Sequence, residues 1–313
     1  MADQPAAASV GDQPDRDMPV RWQARLDSGD TVSVLVRRSV VNLLVNDESP
    51  SYTFDPLGRL HGAFIEGVNY RRSLDNRVLC KWAEHPDGAE SRVRRRNWLT
   101  GAQALGLIED THHLVRRLAA HAGSAPPAVH AVLAHLLRWD WPALEADRQR
   151  FQSIYSPVGI LPPDQYLALV LQATHGCSHN ACTFCTFYHD IPFRIKTPDE
   201  FRRHVNEVFD FFGPALAMRR SIFLADANAL VIPMPRLLAL LAELSKGKCQ
   251  VPSVKSQVTE GDTQIMAGVS LPEHLTPDTT TPDTSLPLYA FIDAFHVERK
   301  SVADWQELAA RGL

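Results

Sequence analysis

Three thiols fall within nine residues, Cys177, Cys182 and Cys185 of the run Cys177-Ser-His-Asn-Ala-Cys182-Thr-Phe184-Cys185. Four residues separate the first pair and two the second, so one short loop can wrap a single centre. Thiolates are soft ligands that suit iron–sulfur clusters, zinc and copper(I). Three is one fewer than a closed four-cysteine site takes, and two centres compete for the loop. Structural zinc takes four protein ligands, and His175, His179 or His189 could complete a Cys3His set. A four-iron cluster on three thiolates would keep one iron free to bind a small molecule. The cluster is favoured because all three cysteines share one loop, whereas zinc folds usually supply two separate knuckles.

The elements that must position this loop are legible around it. Leu167 to Thr174 is a continuous apolar run of the kind a parallel sheet buries on both faces. The loop follows its carboxyl end, where α/β folds place their active sites. Thr197-Pro198-Asp199-Glu200 then opens a helix to about Phe212, with Thr197 as N-cap and Glu200 as the capping-box acid. Ser221 to Ala225 reads as a second strand and Pro235 to Ser245 as a second helix. Strand, helix, strand, helix means βαβ units and a parallel sheet.

Upstream the period changes twice. Residues 21–96 read as a small β-rich domain of four to six short strands, among them Thr31 to Val36, Val40 to Val45 and Ala63 to Val68. Cys80 in its last strand reads as a small buried hydrophobe. Residues 97–160 read as a helical connector, with one or two helices joined near Gly106, then Ala128 to Trp139 and Trp141 to Ile154. Residues 161–247 form the βα core. Residues 1–20 and 248–287 are rich in small, polar and proline residues and read as a disordered tail and a disordered linker. Residues 288–313 read as a short C-terminal helical segment, with a helix from Val302 to Ala310.

Composition narrows the partners. A formal charge of −4 gives no reason to expect nucleic acid or an anionic membrane. The arginines at 92, 94, 95 and 96, with Arg71 and Arg72, read as a solvated face. No apolar run approaches the roughly 18 residues of a membrane span. Five cysteines, three of them clustered, suit a reducing interior better than a disulfide framework, so the expected location is cytoplasmic. No phosphate-loop, dinucleotide or zincin motif is present.

The stretch from about Leu167 to Leu241, with its loop GCSHNACTFCTFY, resembles the radical S-adenosylmethionine superfamily. That resemblance implies a partial TIM-type (βα) barrel, a [4Fe-4S] cluster on Cys177, Cys182 and Cys185, and S-adenosylmethionine chelated at the open iron. It further implies reductive cleavage to a 5′-deoxyadenosyl radical that abstracts hydrogen from a substrate, and a flavodoxin- or ferredoxin-like electron donor. Phe184 matches the aromatic position near the adenine. Phe223 to Leu230 resembles the end of the family's second strand, where Asp226 would receive the ammonium group of S-adenosylmethionine and Asn228 lies nearby. The pair Phe193-Arg194 also resembles this subgroup. Two departures stand out. The commonest family spacing has three residues between the first two cysteines, not four. A six-unit barrel needs roughly 180 residues, whereas 147 run from Leu167 to Leu313. Two βα units are legible, so the barrel is expected to be truncated. The alternative is a non-catalytic iron–sulfur or zinc binding protein.

Overall fold

The computed structural model describes residues 20–47, 49–84, 92–183, 185–248, 286–293 and 296–313, without the side chains of 245–248. The tail 1–19, Phe184 and most of the expected linker, with Cys249, lie outside the described residues. The chain is mixed α/β.

Eight strands form one antiparallel meander: β1 (Val20–Arg25), β2 (Thr31–Val36), β3 (Val41–Val45), β4 (Ser51–Phe54), β5 (Leu60–Ile65), β6 (Val68–Arg72), β7 (Val78–Glu84) and β8 (Val93–Trp98). Each pairs with the next, and β1 does not meet β8, so this sheet is no closed barrel. Alternation sets its inner face: Val32, Val34, Val36, Val41, Leu43 and Val45 are buried. Helices α1 (Gly101–Ala120), α2 (Pro127–Leu137) and α3 (Trp141–Ile154) bury Ile108, Val115, Leu118, Val132, Leu136 and Leu144 in the same core.

Eight strands exceed the four to six expected. The run expected as one strand, Ala63 to Val68, is a hairpin that turns through Glu66 and Gly67, both at positive φ (48° and 80°). Two-residue hairpin turns need that geometry, but glutamate in the first place hides the signal. The basic run is mostly β8, whose Arg94, Arg95 and Arg96 are exposed as expected. Arg72 is not on that solvated face: it is buried and donates to Leu60 O and Asn76 Oδ1. Nor is there a joint at Gly106, since α1 runs through it unbroken. Its capping box joins Thr100 and Gln103.

The remaining chain builds a second, parallel sheet. It comprises β9 (Ala168–Gln172), the two-residue strands β10 (Thr174–His175) and β11 (Arg194–Ile195), helix α4 (Pro198–Phe212), β12 (Ser221–Ala225), α5 (Met234–Lys248), β13 (Leu288–Ala290) and α6 (Val302–Ala310). β12 lies between β9 and β13 and is parallel to both. The expected capping box of α4 is present: Glu200 N donates to Thr197 Oγ1 (3.2 Å) and Thr197 N to Glu200 Oε2 (2.8 Å). The helices cover one sheet face with Phe201, Val205, Phe211, Leu237, Leu240 and Leu308. The opposite face holds a small cluster of Ala168, Phe223 and Ala225 with Leu161, Val170 and Phe291. Tyr155 OH donates to Val170 O (2.8 Å), and Gln172 N donates to His204 Nε2 (3.0 Å).

β13 corrects the sequence reading. The C-terminal segment supplies a strand as well as its helix, so the described residues hold three βα units rather than two. Its Leu288, Tyr289 and Ala290 align with Ile222, Phe223 and Leu224 of β12. Three strands in an open sheet do not by themselves make a barrel.

One buried cation joins the two sheets. Arg59, 1% exposed, donates through Nε to Asp55 Oδ2 (2.7 Å) and reaches Asp147 of α3 (3.3 Å). Its guanidinium lies over the Phe211 ring of α4 at 5.0 Å. Gly58, at φ 91°, lets the turn approach α2 so closely that a Cβ there would stand 2.8 Å from His135 O.

Candidate metal and cofactor site

The carboxyl ends of β9, β12 and β13 bring three loops to one place. The first carries the cysteines. Its base is the antiparallel pair β10 and β11, in which Thr174 faces Ile195 and His175 faces Arg194. Gly176 turns the chain out of this stem at φ 69°, where a Cβ would stand 2.5 Å from Ile191 O. Only glycine takes that conformation in that space without strain. Asn180, also at positive φ, closes the loop on itself: its N–H meets Cys177 Sγ (3.5 Å) and its Nδ2 donates to Tyr188 O (2.9 Å). Cys177, Cys182 and Cys185 are half-buried and in no disulfide. Among the described residues no three His, Cys, Asp or Glu side chains converge to hold a metal ion. His175 Nδ1 instead meets Ser156 Oγ (3.1 Å), and His189 is exposed.

Tyr188 ties the loop to the second strand. Its ring is buried, and its hydroxyl donates to Asp226 Oδ1 (2.7 Å) while accepting from Gly159 N (3.2 Å). Thr174 Oγ1 accepts from Asp226 N (2.9 Å). Asp226 is thus held from two sides, directly beyond β12. Its other oxygen, Oδ2, is buried without a hydrogen-bond partner among the described residues, and so is Asn228 Oδ1. Two orphaned acceptors in one buried spot are unusual, because burial of a polar atom without a hydrogen bond is costly. Together they present what a multiply donating cation needs. The third loop contributes Asp293, whose carboxylate accepts from Asn228 Nδ2 and from His296 through Nδ1 (2.7 Å) and N (2.9 Å).

Burial dominates the electrostatics. It pushes the Asp226 carboxyl up to about 6, against the opposing pull of Tyr188, the Gly176 backbone and Lys196. Burial, aided by Arg194, takes Lys196 down to about 8. It also lowers His204 to about 3, which leaves that ring neutral with Nε2 as an acceptor. A carboxyl raised from 3.8 to about 6 binds its proton more tightly in the folded chain than in the unfolded one. Its contribution to stability is therefore greatest below about 4 and disappears as pH rises through 6. In the metal-free chain, the melting-temperature difference between wild type and Asp226→Asn is expected to shift in favour of wild type as pH falls from 7.5 to 4.5. A pH-independent difference in thermal melts would contradict this.

Of the expected site residues, the structure brings Asp226 and Asn228 together beside the base of the cysteine loop. Phe184 lies outside the described residues. Tyr188, Asp293 and His296 are additions that sequence reading did not assign to the site. No helix among the described residues is long and apolar enough to cross a membrane. No protein family, curated protein or solved structure matches the chain.

Proposed function

We propose that this chain is a radical S-adenosylmethionine enzyme and that its described βα units are the first units of that family's (βα) barrel. The carrying observation is the pair of buried, partnerless acceptors, Asp226 Oδ2 and Asn228 Oδ1, beyond the second of three parallel strands and tied to the cysteine loop beyond the first. The consecutive strand order β9-β12-β13 is also that of the opening turns of a βα barrel.

The residues fit the groups this reading requires. Cys177, Cys182 and Cys185 would hold a [4Fe-4S] cluster, a soft donor set on one glycine-hinged loop. Asp226 and Asn228 would receive the ammonium of S-adenosylmethionine, and Phe184 would lie at its adenine. When bound, these groups supply reductive cleavage of S-adenosylmethionine to methionine and a 5′-deoxyadenosyl radical, with the electron from a flavodoxin- or ferredoxin-like donor. The chain's own part is to orient and to exclude water. Tyr188 fixes one oxygen of Asp226 so that the other faces the site. At neutral pH Asp226 is largely ionised and complements a cation, while Thr174 fixes its backbone.

The test is anaerobic reconstitution with iron and sulfide, then reduction by dithionite with S-adenosylmethionine. About four irons per chain and 5′-deoxyadenosine in the product are expected. The open three-stranded sheet favours a second reading, an iron–sulfur protein without turnover, for which iron would bind and no 5′-deoxyadenosine form. Retained zinc and no iron uptake would sink both.

A further inference from the structure

We infer that Asp293 and His296, on the loop after β13, are positioning residues that set which end of the Asn228 amide faces the site. The inference rests on the proposed function for its consequence but not for its geometry. An ionised carboxylate accepts hydrogen bonds and donates none. Whatever faces Asp293 Oδ2 must therefore be a donor, and Asn228 meets it with Nδ2. The amide is planar, so its Oδ1 points the opposite way, and that oxygen is the one buried without a partner. Asp293 is itself held by two donors of His296, the ring Nδ1 and the backbone N–H. The chain His296 to Asp293 to Asn228 thus ends in an acceptor whose direction is fixed by the carboxylate. Asn228 is 4% exposed, so its amide is oriented by side-chain partners rather than by bulk solvent.

The recognised chemistry is a cationic donor, the ammonium of S-adenosylmethionine. With Asp293 replaced by asparagine, the new side chain can offer its own N–H to Asn228 Oδ1. The Asn228 amide can then turn over and present a donor to a donor.

Two readouts separate this inference from the reading beneath it. The first uses the full chain without metal. The Asn228 side-chain amide signal, identified by its loss in Asn228→Ala, should exchange slowly with water in wild type and rapidly in Asp293→Asn. The second uses the reconstituted chain, in which Asp293→Asn should weaken equilibrium binding of S-adenosylmethionine about tenfold, the effect of one misdirected acceptor on a charged donor. Asn228→Ala should match it, and the double variant should add nothing further to the loss of affinity, with iron content unchanged. An Asn228 signal unaffected in Asp293→Asn overturns the inference, as does an affinity unaffected where wild type binds. A wild type that binds no S-adenosylmethionine, with the amide signal behaving as expected, sinks the proposed function and leaves the positioning standing. Should Asp293→Asn fail to fold, His296→Ala carries the same two readouts.

Discussion

Replacing Cys182 with serine is expected to bring the iron of the reconstituted chain from about four atoms to background, with complete loss of its visible absorbance. A serine hydroxyl stays protonated at neutral pH and is a hard donor, whereas the cluster takes thiolates. The loop holds three cysteines, so it carries no fourth thiol to take over. Cys177→Ser and Cys185→Ser should behave alike. Cys80→Ser is the control: Cys80 is buried in β7 and lies 3.1 Å from Asn97 O, so it belongs to the meander's packing. Undiminished iron in Cys182→Ser would remove the basis for a cluster on this loop.

Arg59→Ala is expected to cost about 3–5 kcal/mol of stability, the usual penalty for removing one partner of a buried ion pair. The loss exceeds that of an ordinary contact because Asp55 and Asp147 would be left as carboxylates in a buried site. Burial raises the Asp147 carboxyl, and Arg59 opposes that rise. The same side chain covers Phe211 of α4, so the two sheets should also lose part of their coupling. Urea unfolding followed by two probes, Trp139 fluorescence and far-UV dichroism, should give coincident curves in wild type and separated ones in Arg59→Ala. Arg59→Met combined with Asp147→Leu should recover part of the loss by removing an orphaned charge along with its partner. A change below about 1 kcal/mol would mean that solvent reaches these carboxylates.

Local signals in the chain were read well where the physics is local. Thr197, Pro198 and Glu200 announce α4 because capping chemistry lies within one turn. The apolar run Ser221 to Ala225 announces β12, which is buried along its whole length. What escaped depends on partners distant in sequence. β13 has three residues and no period of its own, and it becomes a strand only because Leu288 finds Ile222. Arg59 resembles any surface arginine until Asp147 is brought beneath it. Asp293 and His296 carry a spacing found on countless loops, and nothing before folding connects them with Asn228. The orphaned oxygens of Asp226 and Asn228 are likewise properties of a filled space.

The bonds from Tyr155 and His204 to β9 occupy part of the outer edge of this parallel sheet. Alternate residues of a parallel strand point their backbone groups to opposite neighbours. Those of Val170 and Gln172 that face away from β12 are engaged by the Tyr155 hydroxyl and the His204 ring. At those two positions, Val170 O and Gln172 N, side chains stand where a neighbouring strand's backbone would pair. At the opposite edge Leu288 N of β13 donates to Gly312 O (3.3 Å), so the segment after α6 returns to engage that flank too, beside the loop that carries Asp293.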